Sequence, residues 1–344
     1  MQMNRWLAGQ ARAAGRTRAS LVAGGAFVMG LSALAAQIGA RWAERTHPPL
    51  GHFVHVDGLQ VHMIEAGSGA PVVFLHGNGG MIYDVVVSGL FDRVAERGRA
   101  IAIDRPGFGY TPRPRGHTWG AREQAAVVAR VLDELGLERA VIVGHSWGTM
   151  AALALALDRP ERVEGLVLVA GYYFPSMRED TVLFSPAGLP AVGDIVSSTV
   201  GPFVGRVVGP LLITRMFAPK APTERFNRQF PLDLALRPGQ IKAFAQDALH
   251  MATSAQELCP RYGELRCPVT IVTGDSDHIV DVDYQSGQLH RTVPQSRLVV
   301  AKGEGHMVHH HAPEMVADAI AQMMRNAAVP EAPAPATARP TASL

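Results

Sequence analysis

Gly144-His145-Ser146-Trp147-Gly148 stands between an apolar strand-like run, residues 140–143, and an apolar helical stretch, residues 150–157. The pattern is G-x-S-x-G in strand–turn–helix context. A sharp turn there forces the serine into a strained backbone conformation and holds its hydroxyl clear of the chain. Glycines two residues away on either side remove the side chains that would collide. The placement carries the reading more than the five residues do, because glycine and serine are common.

On both sides of this turn, short apolar runs alternate with helical patterns. Residues 53–56 and 60–65, split by Asp57-Gly58, read as a hairpin. Residues 72–75 read as a buried strand followed by His76-Gly77-Asn78-Gly79-Gly80, and residues 100–103 as another ending at Asp104-Arg105-Pro106-Gly107. Val128, Val131, Leu132 and Leu135 follow the spacing of an amphipathic helix. Strands are expected at 163–169, 269–273 and 297–300, with helices near 283–291 and 313–325. The alternation predicts an α/β fold: a mostly parallel, doubly wound sheet of about eight strands, covered on both faces.

From 175 to 266 the alternation stops, and prolines at 186, 190, 202, 210, 222, 231 and 238 separate apolar segments. This stretch reads as an inserted helical cap. The expected organisation is a basic N-terminal segment (1–45), a first core part (46–174), the cap (175–266), a second core part (267–326) and an Ala/Pro-rich disordered tail (327–344).

Of 344 residues, 47% are apolar and 18% charged, the balance of a folded chain with a large core. Residues 1–45 carry six arginines and one glutamate; the remainder carries 26 basic and 29 acidic residues. The globular part is thus mildly acidic and lacks the basic stripe a nucleic-acid partner needs. Cys267 begins an apolar run and reads as a buried hydrophobe, with pairing to Cys259 open if the domain is extracytoplasmic.

Residues 19–40 contain no charged side chain and follow Arg5, Arg12, Arg16 and Arg18. About 20 apolar residues cross a bilayer core, whereas the apolar region of a signal peptide runs about 7–15. Length therefore predicts a retained membrane anchor, with a secreted or periplasmic product of signal cleavage as the alternative. The arginine bias leaves the N-terminus inside and the main domain extracytoplasmic.

Five motifs occur in the order of one large family: His76-Gly77-Asn78-Gly79, Asp104-Arg105-Pro106-Gly107-Phe108-Gly109, Gly144-His145-Ser146-Trp147-Gly148, Gly274-Asp275-Ser276-Asp277 and Gly303-Glu304-Gly305-His306. From about residue 51 to 324 the chain resembles the α/β-hydrolase fold superfamily, and specifically its capped serine hydrolases. The resemblance implies a Ser146–Asp277–His306 triad, with Ser146 as nucleophile and His306 as its base. The implied acid is Asp277, from the Gly-x-x-Asp pattern, with Asp275 as the alternative and Asp281 and Asp283 as helix N-terminal charges. The implied oxyanion donors are the backbone N–H groups of Trp147 and Asn78.

Epoxide hydrolases and haloalkane dehalogenases of this fold use an aspartate at the elbow, so serine disfavours an alkyl-enzyme mechanism. Gly77, the Trp147 side chain, Phe184 and Phe203 are the expected substrate contacts. The apolar cap implies a small hydrophobic substrate. Arg105 is expected to anchor loops. His309, His310 and His311 are expected to pack or face solvent, and no metal or other cofactor is implied, because no Asp, Glu or Cys completes a plausible ligand set. The resulting reading is an esterase or lipase-like enzyme. A carbon–carbon bond hydrolase or cofactor-free perhydrolase on the same fold, and a non-catalytic membrane-tethered binding protein, are the alternatives.

Overall fold

The computed structural model describes residues 2–176 and 188–327, with side chains from residue 23 to 325. Helix α1 (Gln2–Thr46) leads into an eight-stranded sheet. The strands are β1 (His52–Val56), β2 (Leu59–Ala66), β3 (Pro71–Leu75), β4 (Arg99–Ile103), β5 (Ala140–His145), β6 (Val163–Val169), β7 (Val269–Gly274) and β8 (Ser296–Ala301), in the order β1-β2-β4-β3-β5-β6-β7-β8. The β1/β2 and β2/β4 pairs are antiparallel and all others parallel. The β1–β2 hairpin turns at Asp57 (φ 49°) and Gly58 (φ 80°), the positive angles that Asp-Gly tolerates.

Period-two alternation divides the strand side chains between two cores. Val73, Leu75, Ala140 and Ile142 pack on one face with α4 (Ala121–Glu134) and α5 (Gly148–Asp158). Val72, Phe74, Val141 and Val143 pack on the other with α2 (Ile82–Ser88), α3 (Leu90–Ala95) and α13 (Pro313–Ala327). Helix α5 is buried along residues 148–157, which explains why its sequence is apolar all round.

The cap region contains α6 (Val192–Ser198), α7 (Gly201–Phe217), α8 (Glu224–Gln229), α9 (Leu232–Ala235) and α10 (Pro238–Leu258). Helix α10 lies against α5 and α6. Two short helices, α11 (Gln288–Thr292) and α12 (Val308–His311), complete the core. Cys259 and Cys267 are both free thiols, Cys267 in the core and Cys259 half-buried.

One buried ion pair joins cap to core. Arg105 Nη1 donates to Asp247 Oδ2 on α10 at 2.7 Å, and Arg113 Nη2 donates to Asp247 Oδ1 at 2.7 Å. Arg105 and Asp247 are both shut off from water. Removing the carboxylate would strand a buried guanidinium. Asp247→Ala is expected to lower stability by about 3–5 kcal/mol in urea unfolding, and a loss below about 1 kcal/mol would contradict this.

Candidate active site

The site grows from the turn between β5 and α5. Ser146 has φ 50°, a left-handed conformation uncommon for a residue with a side chain. Its N–H donates to the Val169 carbonyl at 2.9 Å, which pins the turn to β6. A Cβ on Gly148 would lie 2.2 Å from the Leu75 carbonyl oxygen, and one on Gly144 would lie 2.7 Å from Thr149 Cα. Both glycines are therefore required by close backbone approach.

Two loops at the C-terminal ends of strands meet this serine. Ser146 Oγ donates to His306 Nε2 at 2.9 Å, and His306 Nδ1 donates to Asp277 Oδ2 at 2.8 Å. Asp277 Oδ1 accepts the backbone N–H groups of Ile279 (2.7 Å) and Val280 (3.1 Å). Burial pushes the Asp277 carboxyl upward, but His306 and these amides outweigh it and hold the group below the ordinary aspartate range. It is a carboxylate at neutral pH. Serine, imidazole and carboxylate thus come together in one hydrogen-bonded line from three separate segments.

The other acids face elsewhere. Asp275 Oδ1 accepts Gly303 N–H at 2.7 Å and braces the loop before His306. Asp281 Oδ1 accepts Tyr284 N–H at 2.7 Å, and Asp283 pairs with Arg291 at the surface.

The loop after β3 lies beside the serine. A Cβ on Gly77 would meet Ser146 Cβ and His145 Nδ1 at 3.1 Å, a tight approach that a larger residue could make only by shifting these side chains. Asn78 Nδ2 donates to the Phe244 carbonyl on α10 at 3.1 Å. This bond ties the loop after β3 to cap helix α10. At the start of α5 the Thr149 N–H donates to the Ser146 carbonyl (3.1 Å) and the Met150 N–H to the Trp147 carbonyl (3.0 Å), and the helix dipole adds positive potential at this end.

Arg105 holds this loop in place. Its Nε donates to the His76 carbonyl (2.8 Å), Nη2 to the Gly77 carbonyl (2.9 Å) and Nη1 to Gln124 Oε1 (2.7 Å). His76 Nδ1 donates to the Gly77 carbonyl at 2.8 Å while Nε2 accepts Arg105 N–H at 3.0 Å, a neutral imidazole. Burial, then the Arg105 charge, lowers its pKa to about 4.

Three expectations change. The Trp147 indole does not form a pocket wall: it is fully buried, donates from Nε1 to the Asp247 carbonyl at 3.1 Å and lies under the Arg105 guanidinium at 4.4 Å. Phe203 is 43% exposed on the outside of the cap, because it shares a helix face with other exposed apolar residues. Phe184 lies outside the described residues. The cap residue that reaches the loop is instead Phe244, whose ring edge lies 3.2 Å from the Cβ position of Gly79.

The third change concerns the histidine run. His309 Nε2 and His310 Nε2 donate to the two oxygens of buried Asp84 at 3.2 and 2.8 Å. Burial lowers the His310 pKa to about 4, so it donates as a neutral ring, while Asp84 is held well below the ordinary carboxylate range despite its burial. His145 Nε2 donates to the His306 carbonyl at 3.3 Å, and its Nδ1 lies 3.6 Å from Asp84 Oδ2.

Asp84, His145 and His309 present ligand atoms within 4.8 Å of one another and could hold a metal ion. Asp84 thus supplies the carboxylate that proximity in sequence does not reveal. Its oxygens already accept N–H groups from two imidazoles, which ties α12 to α2 beside the His306 loop, while the Nδ1 atoms of His145, His309 and His310 are buried without a hydrogen-bond partner. A cavity of about 30 Å³ behind the elbow, lined by His76, Asp84, His145 and His309, has room for a water or two but not for a substrate.

Two outcomes follow from this geometry. Asp277→Asn is expected to cut turnover on the order of 10³–10⁴-fold, while Asp275→Asn leaves it within about tenfold; reversed rates would move the acid to Asp275. Stability is expected to fall as pH drops from about 6.5 toward 4. In that window the unfolded chain protonates at His76, whereas the native ring, lowered to about 4, does not. His76 alone is worth on the order of 3 kcal/mol, and His310, lowered to the same value, acts with the same sign. Asp277 and Asp84, both lowered, add stability above the unfolded carboxylate range and lose it only in stronger acid. A urea midpoint unchanged between about pH 7.5 and 4.5 would contradict the neutral, buried imidazoles.

The same architecture recurs in known proteins. The esterase of Thermogutta terrifontis superposes with TM-score 0.63 at 23% identity, covering 80% of this chain and 99% of that one. In sequence, haloalkane dehalogenase 2 of Mycobacterium tuberculosis is 34% identical over 119 residues, 34% of this chain and 40% of that protein. The 2-hydroxy-6-oxo-2,4-heptadienoate hydrolase of Pseudomonas putida is 36% identical over 121 residues, 35% and 44% of the two chains. These matches span less than half the length of either relative. A sequence profile described as alpha/beta hydrolase fold matches residues 70–313, from the start of the parallel sheet to the first residue of α13, and with the strand order and the serine turn it establishes that the chain belongs to the α/β-hydrolase fold family.

Proposed function

We propose that the protein is a serine hydrolase that cleaves a hydrophobic ester through an acyl-enzyme on Ser146. The observation that carries this reading is the line Ser146 Oγ–His306 Nε2–Asp277, with spacings of 2.9 and 2.8 Å. A serine hydroxyl needs a base to attack a carbonyl, and His306 is in place to take the proton. Asp277 orients the ring through Nδ1 and stabilises the imidazolium that forms. The backbone N–H groups of Trp147 and Asn78 receive the oxyanion of the tetrahedral intermediate. His306 then returns the proton to the leaving alcohol, and water repeats the sequence to release the acid.

The elbow serine separates this chain from an aspartate-dependent dehalogenase, although one relative bears that name. A second reading, carbon–carbon bond hydrolysis, is supported by the similarity to the P. putida dienoate hydrolase. Both readings use Ser146 and His306, and they differ in the bond that the oxyanion intermediate breaks. No nucleic-acid partner belongs to either. In both, α1 serves as a membrane anchor that holds the catalytic domain on the extracytoplasmic side. What supports the anchor is one helix segment, Ala23–Thr46, long and apolar enough to cross a bilayer and 6% buried against the protein.

Ser146→Ala and His306→Ala are each expected to lower ester turnover on the order of 10⁴-fold or more, and Ser146→Ala to abolish labelling by a fluorophosphonate probe. Labelling that survives Ser146→Ala would sink the assignment. A panel of esters of graded acyl length run beside a vinylogous 1,5-diketone decides between the two readings by relative kcat/KM. Full-length protein is expected to stay with membranes through a high-salt wash, since the hydrophobic term that holds α1 is not weakened by salt. Release of intact protein by salt alone would refute the anchor.

A further inference from the structure

The outer side of the cap is apolar over two helices. On α7, Phe203, Val204, Val207 and Leu211 recur at three- and four-residue spacing and so share one face. All four are exposed, Val207 by 72% and Leu211 by 69%. On α6, Val192 and Ile195 are exposed as well. The two helices meet at 74° and together pass the same length-and-apolarity test as α1. Single exposed apolar residues are ordinary, but a band of this extent marks a surface that meets something.

The position of α1 says what that is. Its last turns are docked on the protein: Ala36 and Ala43 are buried, and Arg237 Nη1 pairs with Glu44 Oε1 at 2.8 Å. α1 packs against α6, α9 and α10, and a Cβ on Gly39 would lie 3.6 Å from Arg206 Nη2 on α7. Residues 19–40, at 1.5 Å rise each, extend about 33 Å, close to the roughly 30 Å of a bilayer core. If this segment spans, Gly39 stands at the edge of the hydrocarbon. Trp42, 54% exposed, and Arg41 and Arg45 follow directly, the residue types that settle at that boundary. The apolar band on α7 is held at the same level. Arg206 on α7 pairs with Asp233 at 3.1 Å, and Arg215 is exposed with a stem long enough to reach lipid phosphates.

We propose that the exposed face of α6 and α7 docks on the phospholipid bilayer that holds α1, so that the cap lies in the membrane interface. The inference rests on the membrane reading of α1 and adds a second, independent contact. Helix α7 is apolar around its whole circumference and only Pro202 and Phe217 on it are buried, so the side left uncovered by the protein has apolar surface to sink into the interface. The docked cap is the same one whose α10 contacts the loop at Asn78. It therefore sets Ser146 close to lipid-dissolved molecules.

The test uses the full chain in phosphatidylcholine–phosphatidylglycerol vesicles, with Cys259→Ser, Cys267→Ala and single introduced cysteines carrying an environment-sensitive NBD fluorophore. The labelled positions are Val207→Cys on α7, Leu31→Cys on α1 and Glu134→Cys on the exposed end of α4. The expected result is blue-shifted emission, quenched by nitroxide lipids, at positions 207 and 31 and water-like emission at 134. A water-like label at 207 with a quenched label at 31 would overturn the docking and leave the anchor intact. Water-like labels at both would overturn the docking together with the anchor. A blue-shifted label at 207 that lipid nitroxides do not quench would assign the face to a second copy of the chain and overturn the bilayer as its occupant. Turnover enters none of these readings, so they stand apart from the hydrolase assignment.

Discussion

A single buried guanidinium organises the functional end of this molecule. Arg105, at the end of β4, spends its donors on the His76 and Gly77 carbonyls, on Gln124 and on Asp247. A charge so deep is tolerated only when paired and fully hydrogen-bonded. Satisfying it obliges the loop after β3, helix α4 and cap helix α10 to keep fixed relative positions. That loop is where Gly77 passes Ser146 and where an oxyanion donor is proposed. The electrostatic cost of burying one charge therefore translates into the geometry of the site.

A second buried network acts on the other loop. Asp84 accepts hydrogen bonds from His309 and His310 and lies 3.6 Å from His145 Nδ1, while His145 reaches the His306 carbonyl. The strained serine turn, the loop that carries His306 and helix α2 are thus tied together behind the reacting atoms. Position rather than chemistry is what these groups supply. Precise placement of an imidazole is where much of catalytic rate resides, since small displacements of a base cost large factors.

The N-terminal helix and the cap belong to the same argument about location. α1 is fastened to the body by Ala36, Ala43 and Glu44, not merely tethered to it. Under the proposed membrane reading, this join would turn the apolar side of α7 toward the bilayer.

Much of the fold was legible in the sequence, because β-strands buried on both faces must be apolar throughout and the chain between them must be helical. The strands lay within one or two residues of their expected limits, and the G-x-S-x-G turn announced its strain through the glycines it requires. Ser146, Asp277 and His306 could be named in order. The partners of the supporting groups could not. Asp84 is 225 residues before His309 and Asp247 is 142 after Arg105, and no local pattern links them. The roles of Trp147 and Phe203 were misjudged for the same reason: apolarity is visible in a sequence, but which neighbour covers it is not. The sequence by itself determined the sheet and the serine turn, since these follow from local periodicity and steric necessity, and the family motifs pointed to the aspartate and histidine that the structure brings to Ser146. Only the tertiary structure decided which buried charges pair, which cap residue reaches the site and which apolar face stays bare, since those depend on long-range packing that brings distant segments into contact.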